Sequence, residues 1–180
     1  MATWVLLLRA VNLGSTNKVS MPVLRERMAE AGFTDVRTYV QSGNIVAASK
    51  HRSEAAVARD LHDLIEEHFG DDTPVIVRTP AQVAAVLAKN PFPDEVAASD
   101  RMVVAVFFTK PLPAGEAIVE HAASVGEKAF VDGRELYIAY SDGQHNSKLT
   151  PAAMRRLLGG MEGTARNWRT VTAVAGLASG

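Results

Sequence analysis

The sequence Thr3-Trp4-Val5-Leu6-Leu7-Leu8-Arg9 contains an unbroken apolar run from Trp4 to Leu8. Such a run is typical of a central β-strand that is covered on both faces. A polar segment at residues 11–18 follows it. Ser20 is then predicted to cap a helix with apolar residues at helical spacing, which Gly32 ends. The chain therefore begins with a predicted strand followed by a predicted helix. The order of the elements that follow indicates which type of sheet contains this strand.

Two further strands, a second helix and a fourth strand complete a β-α-β-β-α-β order. Residues 36–41 and 45–48 form a predicted hairpin around the turn Ser42-Gly43-Asn44. Residues 53–69 have the apolar stripe of an amphipathic helix, and residues 74–78 form the last strand. This order predicts a ferredoxin-like unit in residues 1–79, with an antiparallel sheet and two helices on one face.

Most of the same order recurs after residue 100. A strand at 102–108, a helix at 114–125, a hairpin across Asp132-Gly133, a helix capped by Thr150 and a helix at 167–177 are predicted there. Residues 80–100 form a connector helix and linker, with a capping box at its start and prolines at 91 and 93. The predicted fold class is therefore α+β, with two tandem ferredoxin-like (βαββαβ-type) units with antiparallel sheets. The second unit covers residues 101–180 and includes a C-terminal helix.

Composition excludes several classes of protein. The 180 residues include no cysteine, which excludes disulfides, thiolate metal sites and a cysteine nucleophile. No apolar stretch approaches the roughly 18 residues of a membrane span, and the first residues lack a basic leader, so we expect no membrane association and a cytoplasmic location. The net charge of -1 argues against nucleic acid as a partner, and so do the central strands of the first unit, which offer Trp4 as their one aromatic residue for stacking. Because both predicted sheets have apolar faces that a second subunit could cover, a homo-oligomer is one of the possible assemblies.

A candidate binding site follows from the directions of the strands in the first unit. The first strand ends at the sheet edge where the predicted hairpin turns, so polar residues distant in sequence should meet there. Amides, hydroxyls and two cations suit a small anionic ligand, for example one that bears phosphate. The alternative is that these side chains only satisfy the backbone of turns. The residues are Arg9, Asn12, Lys18, Gln41, Ser42 and Asn44, with Gly14 and Asn17 beside them.

A second set of candidates lies near the C-terminus. Asn146 and Lys148 precede a predicted helix start, where exposed N–H groups favour an anion, although such a loop must first cap its helix. Arg166 and Asn167 flank Trp168 in a pattern that single-strand binders use. Because Trp168 falls on the apolar stripe of the last helix, we expect it to be packed in the core, and Arg166 and Asn167 are the better candidates.

Signatures of well-known enzymes are missing. Residues 14–18 lack the first glycine and the Lys-Ser/Thr pair of a P-loop, and Ser42 turns between two strands and not from a strand into a helix. The five histidines include no i, i+4 pair, so we predict neither a metal site nor a cofactor. Binding of a small anionic ligand is the best hypothesis. An enzyme with a polar Lys/Asn/Ser site, a nucleic-acid-binding protein and a structural or assembly protein remain alternatives.

Three stretches of the sequence carry a family resemblance. They are Leu7-Leu8-Arg9-Ala10-Val11-Asn12-Leu13-Gly14 with Asn17-Lys18-Val19-Ser20-Met21; Phe33-Thr34-Asp35-Val36-Arg37-Thr38-Tyr39-Val40-Gln41-Ser42-Gly43-Asn44; and Asn146-Ser147-Lys148-Leu149 with Arg166-Asn167-Trp168-Arg169-Thr170-Val171. With these stretches the chain resembles the bacterial domain-of-unknown-function 1697 family. The resemblance implies two ferredoxin-like units, and it implies no catalytic residues because the family's activity is not known. Ala10 and Ser15 stand where glycine is common in the family, and Arg169 stands where asparagine is common.

Overall fold

The computed structural model of the chain describes residues 1–13, 18–113 and 115–180. These residues form two compact units, one from Met1–Ala85 with Thr172–Gly180 and the other from Val86–Val171. Each unit contains a four-stranded sheet in which all paired strands are antiparallel. None of the described helices has both the length and the apolar character needed to cross a membrane. The protein is therefore of the mixed α+β class.

The first unit contains every strand and helix predicted for residues 3–79. In chain order they are β1 (Ala2–Leu8), α1 (Met21–Glu30), β2 (Thr34–Tyr39), β3 (Asn44–Ser49), α2 (Glu54–Phe69) and β4 (Val75–Arg78). The sheet order is β2-β3-β1-β4, so β1 is central, and Leu7 lies opposite Asn44 of β3 and Ile76 of β4. The prediction of a central first strand is confirmed.

Helices α1 and α2 pack on one face of the first sheet. Leu6 and Leu8 of β1 share a buried cluster with Leu24 of α1 and Leu61 of α2. The opposite face of β1 is also buried, because Val5 is fully inaccessible to solvent. Burial on both faces explains why this strand reads as a continuous apolar run.

The ends of these helices follow the predicted signals with one exception. The Ser53 hydroxyl accepts a hydrogen bond from Ala56 N at 3.2 Å at the start of α2, and Gly70 ends α2 in a left-handed conformation with φ 70°. Ser20 occupies the N-cap position of α1, but its side chain makes no capping hydrogen bond, contrary to the sequence prediction. Pro22 in the first turn needs no such bond, since it has no N–H to satisfy.

Two helices follow the first sheet. The first, α3 (Pro80–Ala88), begins with the predicted capping box, because Thr79 N donates to Gln82 Oε1 at 2.7 Å and Gln82 N donates to Thr79 Oγ1 at 3.1 Å. The second, α4 (Pro93–Ala98), occupies residues that the sequence prediction treated as linker. Pro93 fits the first helical position, and Asp94 and Glu95 in the first turn complement the positive end of the helix dipole.

The second unit has a strand that the sequence prediction missed. Its elements are β5 (Val103–Phe107), α5 (Glu116–Ser124), β6 (Lys128–Asp132), β7 (Glu135–Ala139), α6 (Pro151–Leu157), β8 (Thr164–Asn167) and α7 (Trp168–Ser179). The unpredicted strand β8 pairs with β5, with Arg166 opposite Ala105, and the sheet order is β6-β7-β5-β8. Both sheets thus have the same arrangement of strands.

A second buried cluster lies on the α5 and α6 face of this sheet. Val104 of β5, Ile138 of β7 and Ile118 of α5 belong to it. On the other face of the sheet, the Tyr137 ring lies 6.3 Å from the ring of Trp168, measured between centroids. Trp168 is buried, as the apolar stripe of the last helix predicts.

Candidate ligand-binding edge of the first sheet

The loop after β1 contacts the β2–β3 hairpin, as the strand directions predict. Leu8 N donates to Gly43 O at 2.8 Å, and the Asn12 side chain donates to Gln41 O at 2.5 Å. Residues 9–13 and 18–20 of the loop and residues 40–44 of the hairpin are called the loop–hairpin edge from here on. Gly14 and Asn17, which were predicted to lie here, fall outside the described residues.

Asn12 connects the parts of this edge. Its amide nitrogen donates to Val19 O at 2.9 Å as well as to Gln41 O, and its amide oxygen accepts a hydrogen bond from Val19 N at 3.0 Å. The side chain therefore closes the loop on itself and joins it to the hairpin. An amide used in this way supports the backbone of the edge, which is the turn-satisfying role that the sequence left open.

Asn44 also supports the hairpin. It is fully buried, and its amide nitrogen donates to Tyr39 O at 3.1 Å and to Ser42 Oγ at 3.0 Å. Gln41, by contrast, is exposed, and Ser42 is half-buried. Of the three predicted hairpin residues, Gln41 and Ser42 are the ones that solvent reaches.

The backbone of the edge is held in left-handed conformations at several positions. Ala10, Asn12 and Val40 have φ values of 56°, 55° and 51°. These conformations are uncommon outside glycine, and a β-branched residue such as Val40 adopts them rarely. Gly43 has φ 72°, and a Cβ atom there would lie 2.5 Å from Leu8 Cβ and 2.8 Å from Val11 Cγ2. Strained backbone of this kind concentrates at functional sites.

The charge at the edge is mixed. Arg9 is half-buried and Lys18 is exposed, which supplies the two predicted cations. Arg9 N donates to Pro74 O at 3.0 Å, which brings the segment between α2 and β4 to the same edge. That segment contains Asp71 and Asp72, and Asp72 Oδ1 lies 2.8 Å from His62 Nε2 of α2.

The second set of candidates makes contacts close in sequence. The Asn146 amide donates to Asp142 O at 3.1 Å and to Asp142 Oδ2 at 3.2 Å, and Lys148 is exposed beside the start of α6, which Thr150 caps. Asn167 Oδ1 accepts a hydrogen bond from Thr170 N at 2.9 Å and so caps α7.

Arg166 of this set lies in the edge strand β8. Its guanidinium donates to Thr164 Oγ1 at 2.6 Å and to Ala165 O at 2.8 Å. Burial lowers the pKa of Arg166 to about 10. Because that pKa is still well above 7, the side chain stays charged at neutral pH.

The second unit repeats the contact between loop and hairpin with different side chains. Phe108 N donates to Arg134 O at 3.0 Å, and Leu112 N donates to Gly133 O at 2.8 Å. Here backbone groups make both contacts, and the hairpin ends carry the carboxylates Asp132 and Glu135. Asn12 provides the polar amide connection of the first unit, and Lys110 is an exposed lysine in the corresponding loop of the second unit.

Three side chains that could hold a metal ion lie close together on α2, and the sequence prediction did not select them. One ligand atom each from His62, Asp63 and Glu66 lies within 4.8 Å of the others. The i, i+4 spacing of His62 and Glu66 was the available signal. His62 Nε2 lies 2.8 Å from Asp72 Oδ1 and Nδ1 lies 3.3 Å from Asp63 Oδ1.

These contacts favour protonated His62. The hydrogen bond with Asp72, followed by that with Asp63, raises the pKa of His62. An imidazole that is protonated on both nitrogens has no lone pair for a metal ion. The group is therefore best described as an exposed ion-pair cluster.

The fold and the loop–hairpin edge define a two-unit α+β protein with a polar site at the edge of its first antiparallel sheet. The chain belongs to the family described as "Protein of unknown function (DUF1697)", whose model matches residues 1–137. This confirms the resemblance found in the sequence. The matched residues include the whole loop–hairpin edge, whereas the stretches around Asn146 and Arg166 lie beyond them.

A solved structure shares the fold. It is described as "The structure of conserved bacterial protein SP0830 from Streptococcus pneumoniae", with a TM-score of 0.74 and 20% sequence identity, covering 100% of this chain and 99% of that chain. At this identity the similarity concerns the fold alone. No curated protein matches the chain. The comparisons therefore establish a family and a fold without establishing an activity.

Proposed function

We propose that the protein consists of two ferredoxin-like units, in residues 1–79 and 101–180 with a connector at 80–100, and that the first unit binds a small anionic ligand at the loop–hairpin edge. The strand orders β2-β3-β1-β4 and β6-β7-β5-β8, with α1 and α2 on one face of the first sheet, support the fold. The binding proposal depends on the first unit alone, because the polar amide connection occurs there.

The observation that carries the proposal is the way Asn12 fixes the edge. One side chain makes three hydrogen bonds to backbone groups of the loop and hairpin, and it does so from a left-handed conformation. A backbone that is fixed before a ligand arrives loses less entropy on binding. In the corresponding loop of the second unit, the backbone N–H groups of Phe108 and Leu112 donate to carbonyl oxygens of the hairpin.

Each residue has a separate role in this proposal. Lys18 and Arg9 neutralise the charge of the ligand, and Gln41 and Ser42 offer hydrogen bonds to its oxygens. Asn12 and Asn44 hold the backbone that positions these groups. Asn146, Lys148, Arg166 and Asn167 form a separate second candidate, and their contacts with neighbouring residues make them weaker candidates than the loop–hairpin edge.

A thermal-shift experiment on the full chain tests the proposal. Inorganic phosphate, nucleotides, sugar phosphates and carboxylic acids are added to the wild-type protein and to Lys18→Ala. A ligand at about 100 times its Kd stabilises the folded state by roughly 2.7 kcal/mol, which a melting curve detects. We expect at least one of these anions to raise the melting temperature of the wild type and to lose that effect in Lys18→Ala.

Lys110→Ala is the matched control, because Lys110 is an exposed lysine in the corresponding loop of the second unit. It should keep the full response to the anion. If both variants lost the response to the anion equally, binding would reflect the overall charge of the protein. If Lys18→Ala kept the response, the anion would bind away from the loop–hairpin edge.

A further inference from the structure

Strand β6 is an edge strand of the second sheet. It pairs with β7 on one side, and in the described parts of the chain no strand pairs with it on the other. The ladder with β7 runs from Lys128 to Asp132 at consecutive positions with no shift of register. An edge strand that is regular and unpaired is a template for pairing with another strand.

The turn that follows β6 defines which backbone groups point outward. Asp132 lies opposite Glu135 across a two-residue turn that begins with Gly133, whose φ is 60°. Such a turn closes on a hydrogen-bonded pair, and hydrogen bonding then alternates along the strand. Lys128, Phe130 and Asp132 therefore bond to β7, while the backbone groups of Ala129 and Val131 point away from the sheet.

The side chains of β6 are complementary to a second copy of the same strand. Lys128 and Asp132 lie equally far from Phe130 in the sequence Lys128-Ala129-Phe130-Val131-Asp132. When two such strands run antiparallel about Phe130, each Lys128 lies opposite an Asp132. Phe130 is 45% exposed although it is a large apolar residue, and its ring lies 6.2 Å from that of Tyr137.

The edge strand β2 of the first sheet lacks these features. Its register with β3 shifts between Thr34 and Arg37, and Asp35 lies there with φ 52°. Irregularities of this kind protect edges against pairing. Strand β6 has no shift of register with β7, and its charges match a second copy of the strand.

We propose that β6 pairs antiparallel with β6 of a second copy of this chain, centred on Phe130. Ala129 and Val131 of each copy exchange about four backbone hydrogen bonds. The two Phe130 side chains meet at the central non-hydrogen-bonded position, where cross-strand side chains are closest. Lys128 of each copy pairs with the Asp132 of the other copy, which fixes the register.

Ion pairs within the chain extend this charge pattern. Lys128 pairs with Glu95 of α4, and Lys89 Nζ lies 2.6 Å from Asp132 Oδ2. Both Lys128 and Lys89 are exposed, so these pairs stay open to a further partner. In the dimer each Lys128 lies between two carboxylates and each Asp132 lies between two ammonium groups.

The contact is small, because each copy contributes a strand of five residues. Interfaces well below about 1,200 Å² of total buried area are typical of weak or transient association. The expected dimer is therefore in equilibrium with the monomer and depends on protein concentration.

Charge reversal tests the pairing by sedimentation velocity over a wide range of protein concentration. The wild type should show a reversible monomer–dimer equilibrium. Lys128→Asp alone and Asp132→Lys alone should each be monomeric, because like charges then face each other at both ends of the strand pair. An equimolar mixture of these two variants should associate again. In the mixed pair the introduced aspartate faces the introduced lysine, and the unchanged Asp132 of one chain faces the unchanged Lys128 of the other.

The mixture separates pairing from damage to the fold, because each chain in it is the same as in the separate samples. Lys110→Asp changes the net charge by the same amount as Lys128→Asp, but away from β6, and should associate like the wild type. A wild type that stays monomeric at every concentration would overturn the proposal. So would association that persists in the single variants, or a mixture that fails to associate.

Discussion

Gly43 shows how a single residue holds the loop–hairpin edge together. Its φ of 72° is unfavourable for other residues, and an added Cβ would meet Leu8 and Val11 at 2.5 and 2.8 Å. Gly43→Ala should therefore lower the free energy of unfolding by about 2–4 kcal/mol, from backbone strain together with overpacking. Chemical denaturation of the full chain measures this loss.

Gly133 supplies the control for Gly43. It lies in the corresponding hairpin of the second unit with φ 60°, and nothing lies within 4 Å of an added Cβ. Gly133→Ala should cost only the strain of the left-handed conformation, about 1 kcal/mol. Equal losses in the two variants would mean that the close contact with Leu8 and Val11 contributes nothing.

His62 makes the stability of the first unit depend on pH. The carboxylates of Asp72 and Asp63 raise its pKa above 6.5. A raised pKa in the folded state stabilises the fold below the unfolded pKa, and this contribution is lost as the pH rises through the raised value. His62→Gln should therefore destabilise the protein more at pH 6 than at pH 8, by less than about 1 kcal/mol because the pair is partly exposed.

Denaturation curves at both pH values measure this difference. His68→Gln is the control, since His68 is an exposed histidine on the same helix. This variant loses an imidazole but keeps the contacts of His62 with Asp72 and Asp63. The assignment of charge to His62 would be wrong if His62→Gln lost the same stability at both pH values.

At the scale of elements, capping decides where α3 begins. Thr79 and Gln82 exchange two hydrogen bonds, and the Gln82 amide also donates to Glu54 Oε1 of α2 at 3.1 Å. Thr79→Ala should cost about 0.5–2 kcal/mol, while Thr79→Ser, which keeps the hydroxyl, should cost less. Denaturation of both variants tests this, and equal losses would show that the methyl group matters and the cap does not.

Elements with strong local signals could be predicted from the sequence. β1 has a continuous apolar run, and α2 has both a capping serine and a terminal glycine. β8 was missed because it has four residues and only its first side chain is buried. Its sequence therefore lacks the alternation of apolar and polar residues that predicts a strand. α4 was missed because its prolines and acidic residues are as common in linkers as in the first turn of a helix.

At the scale of the whole molecule, the duplicated strand order made the candidate site predictable. Chain direction alone brings the loop after β1 to the β2–β3 hairpin, and the contacts of Asn12 and Gly43 lie where this argument places them. The sequence could not show that Asn44 is buried, or that the segment of Asp71 and Asp72 reaches the same edge. Both depend on tertiary packing, which has no local signature.

The division into compact units also has a consequence for synthesis. Residues Thr172–Gly180 belong with Met1–Ala85, while the intervening Val86–Val171 forms a unit of its own. On a ribosome the second unit can therefore assemble from consecutive residues, whereas the first must wait for a segment translated after it. A chain that ends at residue 171 would contain every residue of the second unit but would lack one part of the first.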